Sequence, residues 1–212
     1  MTTIAILGTG RVSRTLATAL LGAGHQVLIG SRDAEAARAG WAGTGVTVTD
    51  VADAAGSADV VVNATPGDSS VERLSELRAE LAGKVLLDVA NASARGADGM
   101  PTGLLYPGES LGERLQSALP ESKVVKALNT MLFPVMGAPD SLSTPVTVFV
   151  SGDDDAAKQV VTGLLTDLGW KPDLILDLGG IKSARAPEAA VEIVPAVLRA
   201  RGMVPFAITV VG

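Results

Sequence analysis

The start of the chain carries the sequence feature that most limits its fold. A short apolar run, Thr3–Leu7, leads into the segment GTGRVS, in which Gly8 and Gly10 precede a stretch with apolar residues at helical spacing. In such a unit the first glycine permits a tight turn, and the second lets a pyrophosphate approach the amides of the helix N-terminus. The third position needs only a small side chain, which Ser13 provides. The segment predicts a dinucleotide cradle, with a plain strand–turn–helix junction as the alternative.

The first half of the chain repeats an alternation of apolar runs and amphipathic stretches. Strands that are apolar on both faces are typical of parallel sheets covered by helices. The runs that predict such strands are Thr3–Leu7, Gln26–Gly30, Asp59–Ala64 and Lys84–Val89. Helical spacing follows in Asp33–Trp41 and in Ser69–Leu81. The alternation predicts an α/β protein with a Rossmann-type, doubly wound and mostly parallel sheet.

The second half keeps this alternation less regularly. The predicted elements are strands at Lys123–Leu128 and Val146–Ser151, helices at Asp153–Leu168 and Pro187–Arg201, and a loop at Gly96–Gly108. Leu174–Leu178 is a short apolar segment. Pro195 is expected to kink the last helix, because proline cannot donate the backbone hydrogen bond. We place a division near residue 150. It separates a nucleotide-binding domain, residues 1–150, from a small C-terminal α/β domain, residues 151–212, that closes a cleft.

The end of the second predicted strand indicates which dinucleotide binds. Chains that bind NAD usually present a carboxylate there to the ribose hydroxyls. This chain has Ser31 and Arg32 instead, and its first carboxylate comes only at Asp33. The planar guanidinium of Arg32 can pair with a 2′-phosphate, and the Ser31 hydroxyl can donate to it. The pair predicts NADP as the cofactor, the alternative being that Arg32 is a solvated turn residue.

Residue content excludes several kinds of chemistry. The chain has no cysteine, which excludes thiol nucleophiles, disulfides and metal–thiolate sites, and its single histidine, His25, is expected in a turn at the wrong end of the sheet for catalysis. A net charge of −6 argues against nucleic acid as a partner. No run reaches the ~18 apolar residues of a membrane span, and no basic leader precedes the first strand. We expect a cytoplasmic protein with no metal site and no membrane partner.

Ligands of doubly wound sheets bind at the carboxyl ends of the strands, where three loops of this chain should meet. The loops begin ATPGDSS after the third predicted strand, ANASARG after the fourth and NTMLFP after Lys123–Leu128. Asn129 and Thr130 can hydrogen-bond a carboxamide or a planar partner, and an apolar wall follows them. The residues of these loops predicted to line the site are Ala64, Thr65, Pro66, Ala90, Asn91, Asn129, Thr130, Met131 and Phe133.

Groups for acid–base catalysis are scarce near these loops. Reduction of a ketone needs a proton donor at the oxygen, usually Tyr, Lys or His. The only tyrosine, Tyr106, lacks a YxxxK partner. Lys126 could act as a general acid and Lys182 could meet an anionic substrate, but a structural role for Lys126 and a solvated one for Lys182 explain them equally well. Hydride exchange between a nicotinamide and a flavin-like ring needs mainly placement of the two rings. We therefore predict no dedicated catalytic acid or base.

Five segments together resemble the NADPH-dependent oxidoreductases of the deazaflavin coenzyme F420. They are IAILGTGRVS, LIGSRD, KVVKALNTM, VSGDDDAAKQVVTGLLTDLGW and RGMVPFAI, which match that family in order over nearly the whole chain. The resemblance implies a Rossmann-type domain and a small C-terminal domain with the site in the cleft between them. It also implies a homodimer, and hydride transfer between NADP(H) and the deazaflavin as small-molecule redox carriers.

The resemblance also assigns residues to parts of the cofactor. It places Thr9, Gly10, Arg11 and Val12, after Gly8, around the pyrophosphate. It further places Ser31 and Arg32 on the 2′-phosphate, and Ala64, Thr65 and Pro66 near the nicotinamide. Asn129 stands where archaeal members carry a histidine. Two alternatives remain open: reduction of another flavin or small acceptor, and a non-catalytic NADP-binding sensor.

Overall fold

A computed structural model describes residues 1–211 and places eight strands in one sheet. Their order across the sheet is β10-β9-β8-β5-β4-β1-β2-β3. The strands are β1 (Thr3–Leu7), β2 (Gln26–Gly30), β3 (Thr47–Thr49), β4 (Val60–Asn63), β5 (Val85–Asp88), β8 (Lys123–Ala127), β9 (Val148–Gly152) and β10 (Ile175–Asp177). Every pair of neighbours is parallel except β8 and β9, which are antiparallel. The predicted α/β class and the doubly wound, mostly parallel sheet are confirmed.

Helices cover both faces of this sheet. They are α1 (Arg11–Gly22), α2 (Ala34–Arg38), α3 (Val51–Ser57), α4 (Ser70–Ser75), α5 (Arg78–Leu81), α6 (Leu111–Ala118), α7 (Phe133–Met136), α8 (Asp155–Asp167), α9 (Arg185–Ala189) and α10 (Val194–Arg201). Alternate residues of β1 enter different cores, with Ile4 and Ile6 in the first and Ala5 and Leu7 in the second. Because side chains alternate between the faces of a strand, the central strands are apolar throughout. No helix within residues 1–211 is long and apolar enough to cross a membrane.

The C-terminal third of the chain extends the same sheet. Strand β9 pairs with β8, and β10 continues the sheet beyond β9. The predicted division at residue 150 falls within β9, so residues on both sides of it share one sheet. The functional division into a nucleotide-binding part and a C-terminal part stays a prediction.

In the second half of the chain, two predicted elements differ in kind from the observed ones. The expected loop Gly96–Gly108 contains β7 (Pro101–Leu104), which pairs with β6 (Ser93–Arg95) as a small antiparallel hairpin. The expected kinked helix at the C-terminus is instead broken into α9, a 3-10 turn and α10. Pro195 lies in the first turn of α10, where a missing backbone N–H removes no helical hydrogen bond. The proline therefore marks a helix start and not a kink.

Candidate active site

The carboxyl ends of the parallel strands open into a cavity of about 910 Å³. It is lined by the turns that follow β1, β2, β4, β5 and β8, and by residues of α4 and the β6–β7 hairpin. This volume lies at the upper end of the usual range for small-molecule sites. The predicted site residues that line it are Gly8, Thr9, Gly10, Val12, Ser31, Arg32, Ala64, Thr65, Pro66, Ala90, Asn91, Asn129, Met131 and Phe133. Arg11 and Thr130 do not line it.

The turn between β1 and α1 has the geometry of an anion cradle. Gly8 has a φ of +117°, and a Cβ there would lie 2.8 Å from the carbonyl oxygen of Ala64. Gly10 is the N-cap residue of α1, and a Cβ built on it meets nothing within 4 Å. No side chain caps the N-terminus of α1, and its first turn holds no acidic residue. An uncapped helix N-terminus whose preceding turn lines a cavity is suited to binding a pyrophosphate.

Ser13 is completely buried beneath this turn. Its Oγ lies 3.4 Å from where a Cβ on Gly8 would be, and it has no hydrogen-bond partner in the described chain. The position therefore packs helix against strand, and the hydroxyl contributes no contact. A small side chain is what the third position of the motif requires.

The first carboxylate after β2 is that of Asp33, and it serves as a helix cap. The Asp33 side chain accepts a hydrogen bond from the Ala36 amide at 2.9 Å and so caps α2. The Ser31 hydroxyl donates to the Asp33 carbonyl at 2.9 Å. Arg32 is exposed, lines the cavity, and has no carboxylate within 4.0 Å among residues 1–211. An unpaired guanidinium beside a hydroxyl fits the 2′-phosphate of NADP.

A row of buried polar residues crosses three strands beside the cavity. Asn63, Asp88 and Lys126 stand side by side in the register of β4, β5 and β8. The Lys126 Nζ lies 2.7 Å from Asp88 Oδ2 and 2.9 Å from Glu188 Oε1 of α9, and its side chain is only 1% exposed. Burial lowers the pKa of Lys126, but the two carboxylates outweigh this effect and raise it above its usual value. Lys126 is thus a buried cation paired with two carboxylates, and it does not line the cavity.

This row also fixes two of the loops that line the cavity. Lys126 Nζ donates to the Ala90 carbonyl, and Asp88 Oδ1 accepts from the Ala90 amide at 3.2 Å. Asn63 Nδ2 donates to Asp88 Oδ1 at 2.8 Å, while Asn63 Oδ1 accepts from the Thr65 hydroxyl at 2.6 Å. The loops after β4 and β5 are therefore held by interactions beneath them. Sequence analysis did not anticipate Glu188, whose pairing with β8 is a long-range contact.

The loops after β5 and β8 are joined by a pair of asparagines. Asn91 Nδ2 donates to the Asn129 carbonyl at 2.9 Å, and Asn129 Nδ2 donates to Asn91 Oδ1 at 3.0 Å. Just before Asn129, Leu128 adopts a φ of +63°, which is unusual for a leucine and redirects the chain at the end of β8. Thr130 is buried, and its hydroxyl has no partner within residues 1–211. The two asparagines form a polar surface in the part of the cavity where the second substrate is predicted to bind.

Residues near the end of the described chain contact the apolar side of the cavity, next to these asparagines. Met131 and Ala207 form an antiparallel bridge, and the Leu132 amide donates to the Phe206 carbonyl at 2.9 Å. Met131, Leu132 and Phe133 all line the cavity. The C-terminal segment of the chain thus reaches the site and stabilises its apolar side.

The ionisable residues of the cavity lining are Arg32, Asp33, Arg73, Glu76 and Arg95. No Lys, His or Tyr of the described chain is among the lining residues, and residues 1–211 hold no cluster of three possible metal ligands. Arg73, Glu76 and Arg95 are not predicted from the sequence, because nothing in the local pattern of α4, of its C-cap or of the hairpin marks them.

The other predicted candidates lie elsewhere. His25 Nε2 is 3.0 Å from Asp167 Oδ2, in the turn between α1 and β2, at the opposite end of the strands. Tyr106 stacks with Arg114, whose guanidinium carbon is 5.0 Å from the ring centre. Lys182 is exposed on a 3-10 turn. None of these three side chains lines the cavity.

The fold and the cavity define a Rossmann-type dinucleotide-binding protein. The family model described as NADP oxidoreductase, coenzyme F420-dependent, matches residues 3–92. A solved structure from Arthrobacter sp. FB24, described as a proposed F420-dependent NADP reductase, is 40% identical with a TM-score of 0.90, and each chain covers all of the other. The chain belongs to the family of coenzyme F420-dependent NADP oxidoreductases.

Two curated relatives show how far this similarity extends. The F420-dependent NADP reductase of Methanocaldococcus jannaschii is 32% identical over 140 residues, which make up 65% of this chain and 60% of that protein. The metalloreductase STEAP3 of Rattus norvegicus is 33% identical over 187 residues, 88% of this chain but only 36% of that protein. The chain therefore spans less than two thirds of the length of either relative.

Proposed function

We propose that this protein transfers a hydride between NADP(H) and the deazaflavin of coenzyme F420 in the cavity at the carboxyl edge of the sheet. One observation carries the proposal: a single cavity joins an uncapped helix N-terminus and the Ser31–Arg32 pair to an apolar wall that lacks any Lys, His or Tyr. NADPH supplies the hydride and the deazaflavin accepts it at a ring carbon. The family and the names of the relatives from Arthrobacter and Methanocaldococcus support this pairing of carriers.

The chain's own residues bind and orient in this proposal. The amides at the start of α1 hold the pyrophosphate, and Ser31 and Arg32 hold the 2′-phosphate. The buried polar row holds Thr65 and Ala90 in place, and these two residues would position the nicotinamide ring in the cavity. These contacts keep the cofactor in one position, which is the main requirement for transfer between two rings.

The opposite side of the cavity receives the deazaflavin. Asn129, held by its two hydrogen bonds with Asn91, presents a polar edge, while Met131 and Phe133 present apolar surface. Apolar walls exclude water from the space between the rings. A carbon that accepts a hydride needs no proton donor, and the proton that balances the charge left on the conjugated ring can come from water. The scarcity of acid–base groups therefore agrees with the proposed reaction.

Turnover with a panel of acceptors tests the proposal. NADPH mixed with the protein and oxidised coenzyme F420 is expected to bleach the deazaflavin absorbance, whereas FMN and FAD should react far more slowly. Faster NADPH oxidation with FMN, FAD or another small acceptor would replace the deazaflavin with that acceptor. Tight NADPH binding without turnover of any acceptor, beside an active reference reductase, would favour a sensor.

A homodimer belongs to the same proposal. The C-terminal segment exposes several large apolar side chains, including Ile193 at 48% and Met203 at 62%, and α10 has no buried residue. Such a surface is typical of a protein–protein contact. Light scattering on a size-exclusion column is expected to give twice the chain mass of 21.4 kDa, and a single-chain mass would refute the dimer. We place the enzyme in the cytoplasm, where NADPH is the common reductant.

A further inference from the structure

A second concave surface lies on the outer side of α1, where this helix meets α7. Its volume is about 460 Å³, and its polar lining comes from Arg11, Arg14, Thr15 and Thr18. Phe133 closes one side of it and lines the main cavity as well. We call this surface the arginine groove. It holds two guanidinium groups, and no Asp or Glu is among its described lining residues.

Both arginines of the groove are held in place by aromatic rings. The guanidinium carbon of Arg11 lies 5.1 Å from the centre of the Phe133 ring, and that of Arg14 lies 4.5 Å from the centre of Trp41. Arg14 Nη2 also donates to the Gly40 carbonyl at 3.0 Å. Stacking uses the flat face of a guanidinium and leaves its in-plane N–H donors available for an anion.

Neither arginine is neutralised by the described chain. No carboxylate of residues 1–211 lies within 4.0 Å of Arg11 or Arg14. Both lie in the first turns of α1, where the helix dipole disfavours positive charge, and the whole chain carries a net charge of −6. Two exposed and unpaired cations at an unfavourable place in an acidic protein are available to an anionic ligand.

The position of the groove indicates which ligand this is. The phosphates of NADP are accounted for by the main cavity, which Arg11 and Arg14 do not line. The groove adjoins that cavity through Phe133, on the side of the apolar wall where the hydride acceptor is expected. An anion bound in the groove would therefore lie beside the acceptor's side of the site.

We propose that the arginine groove binds the phosphate- and carboxylate-bearing chain attached to the deazaflavin ring of the acceptor. This inference rests on the proposed function and adds a specificity to it: the enzyme selects acceptors by their negative charge as well as by their ring. The aromatic contacts order the guanidinium groups before binding, which reduces the entropy lost when the ligand arrives.

Comparison of coenzyme F420 with the same deazaflavin lacking its anionic chain tests the groove. Arg14→Gln is expected to raise the KM for coenzyme F420 at least fivefold, while the KM for the chainless deazaflavin changes less than twofold. Thr18→Glu, which adds a negative charge and leaves the Trp41 contact intact, should give the same pattern. Raising the salt concentration should raise only the KM for coenzyme F420, because exposed charge pairs are screened.

Arg78→Gln provides the matched control. Arg78 also donates from Nη2 to a backbone carbonyl, that of Ala118 at 2.8 Å, but it lies on α5 and does not line the groove. The Arg78→Gln substitution should leave both KM values unchanged. Equal KM values for the two deazaflavins would overturn the proposed role of the groove but not the hydride transfer. Equal effects of Arg14→Gln on both KM values would do the same. Failure of the unmodified enzyme with both deazaflavins would overturn the proposed function itself.

Discussion

Replacing Lys126 with methionine is expected to lower the free energy of unfolding by about 3–5 kcal/mol, the range for removing one partner of a buried ion pair. Lys126 is the cation shared by Asp88 and Glu188, at 2.7 and 2.9 Å. Its loss leaves two carboxylates without their cation in a site that is closed to water. Methionine fills a similar volume, so the effect reports the lost charge and not a cavity.

Urea denaturation followed by circular dichroism measures this loss. Lys123→Met is the matched control on the same strand, because Lys123 is 43% exposed and lies 3.4 Å from Asp154. An exposed pair of this kind contributes about 1 kcal/mol or less. Similar losses for the two variants would show that the Asp88–Lys126–Glu188 cluster does not stabilise the fold as we describe.

Replacing Arg32 with alanine is expected to weaken NADPH binding by about 1–3 kcal/mol, the range for hydrogen bonds to charged groups, and to leave NADH binding unchanged. The difference arises because only NADPH carries the 2′-phosphate that the guanidinium would pair with. The adjacent Asp33 caps α2 and, being an anion, cannot replace the guanidinium in binding a phosphate. This loss corresponds to a roughly 5- to 150-fold higher Kd.

Titration of the protein's fluorescence or calorimetry with each nucleotide measures the two Kd values. Arg38→Ala removes the same charge from the last turn of α2, and Arg38 does not line the cavity. It is expected to change neither Kd by more than twofold. If Arg32→Ala weakened NADPH and NADH equally, Arg32 would act on a part that both nucleotides share, and the assignment to the 2′-phosphate would be wrong.

The sequence predicts the central strands well, because their residues are apolar on both faces and interrupted by turn residues. The predicted Thr3–Leu7 and Gln26–Gly30 coincide with β1 and β2, and Lys123–Leu128 exceeds β8 by one residue. Short strands and helix breaks are not predicted from the sequence. The three-residue strand β3 is too brief to show a period, and the single predicted helix Ser69–Leu81 is in fact α4 followed by α5.

The two parts of the site differ in how far local sequence specifies them. Gly8, Gly10 and Ser13 act through their own backbone or size, so their roles follow from the segment itself. Lys126 lies in a strand that is buried on both faces, where alternation cannot tell which way a side chain points. Its partner Glu188 is distant in sequence, and only the fold brings the two together.

Arg11 and Thr130 show a further limit of reasoning from position in the chain. Both adjoin residues that line the cavity, yet neither lines it. Helical geometry turns Arg11 onto the outer side of α1, toward Phe133. The left-handed conformation of Leu128 precedes the buried Thr130 and alters the direction of the chain there. Sequence adjacency therefore indicates the neighbourhood of a site without fixing which side chains enter it.

The fate of the hydrogen at C4 of the nicotinamide tests the central claim most directly. NADPH carrying deuterium at both C4 positions is mixed with the protein and oxidised coenzyme F420 in ordinary water, and the reduced deazaflavin is analysed by mass spectrometry. Direct hydride transfer predicts one deuterium bound to carbon in each reduced deazaflavin. A reduced deazaflavin that carries only hydrogen from the solvent would contradict the account.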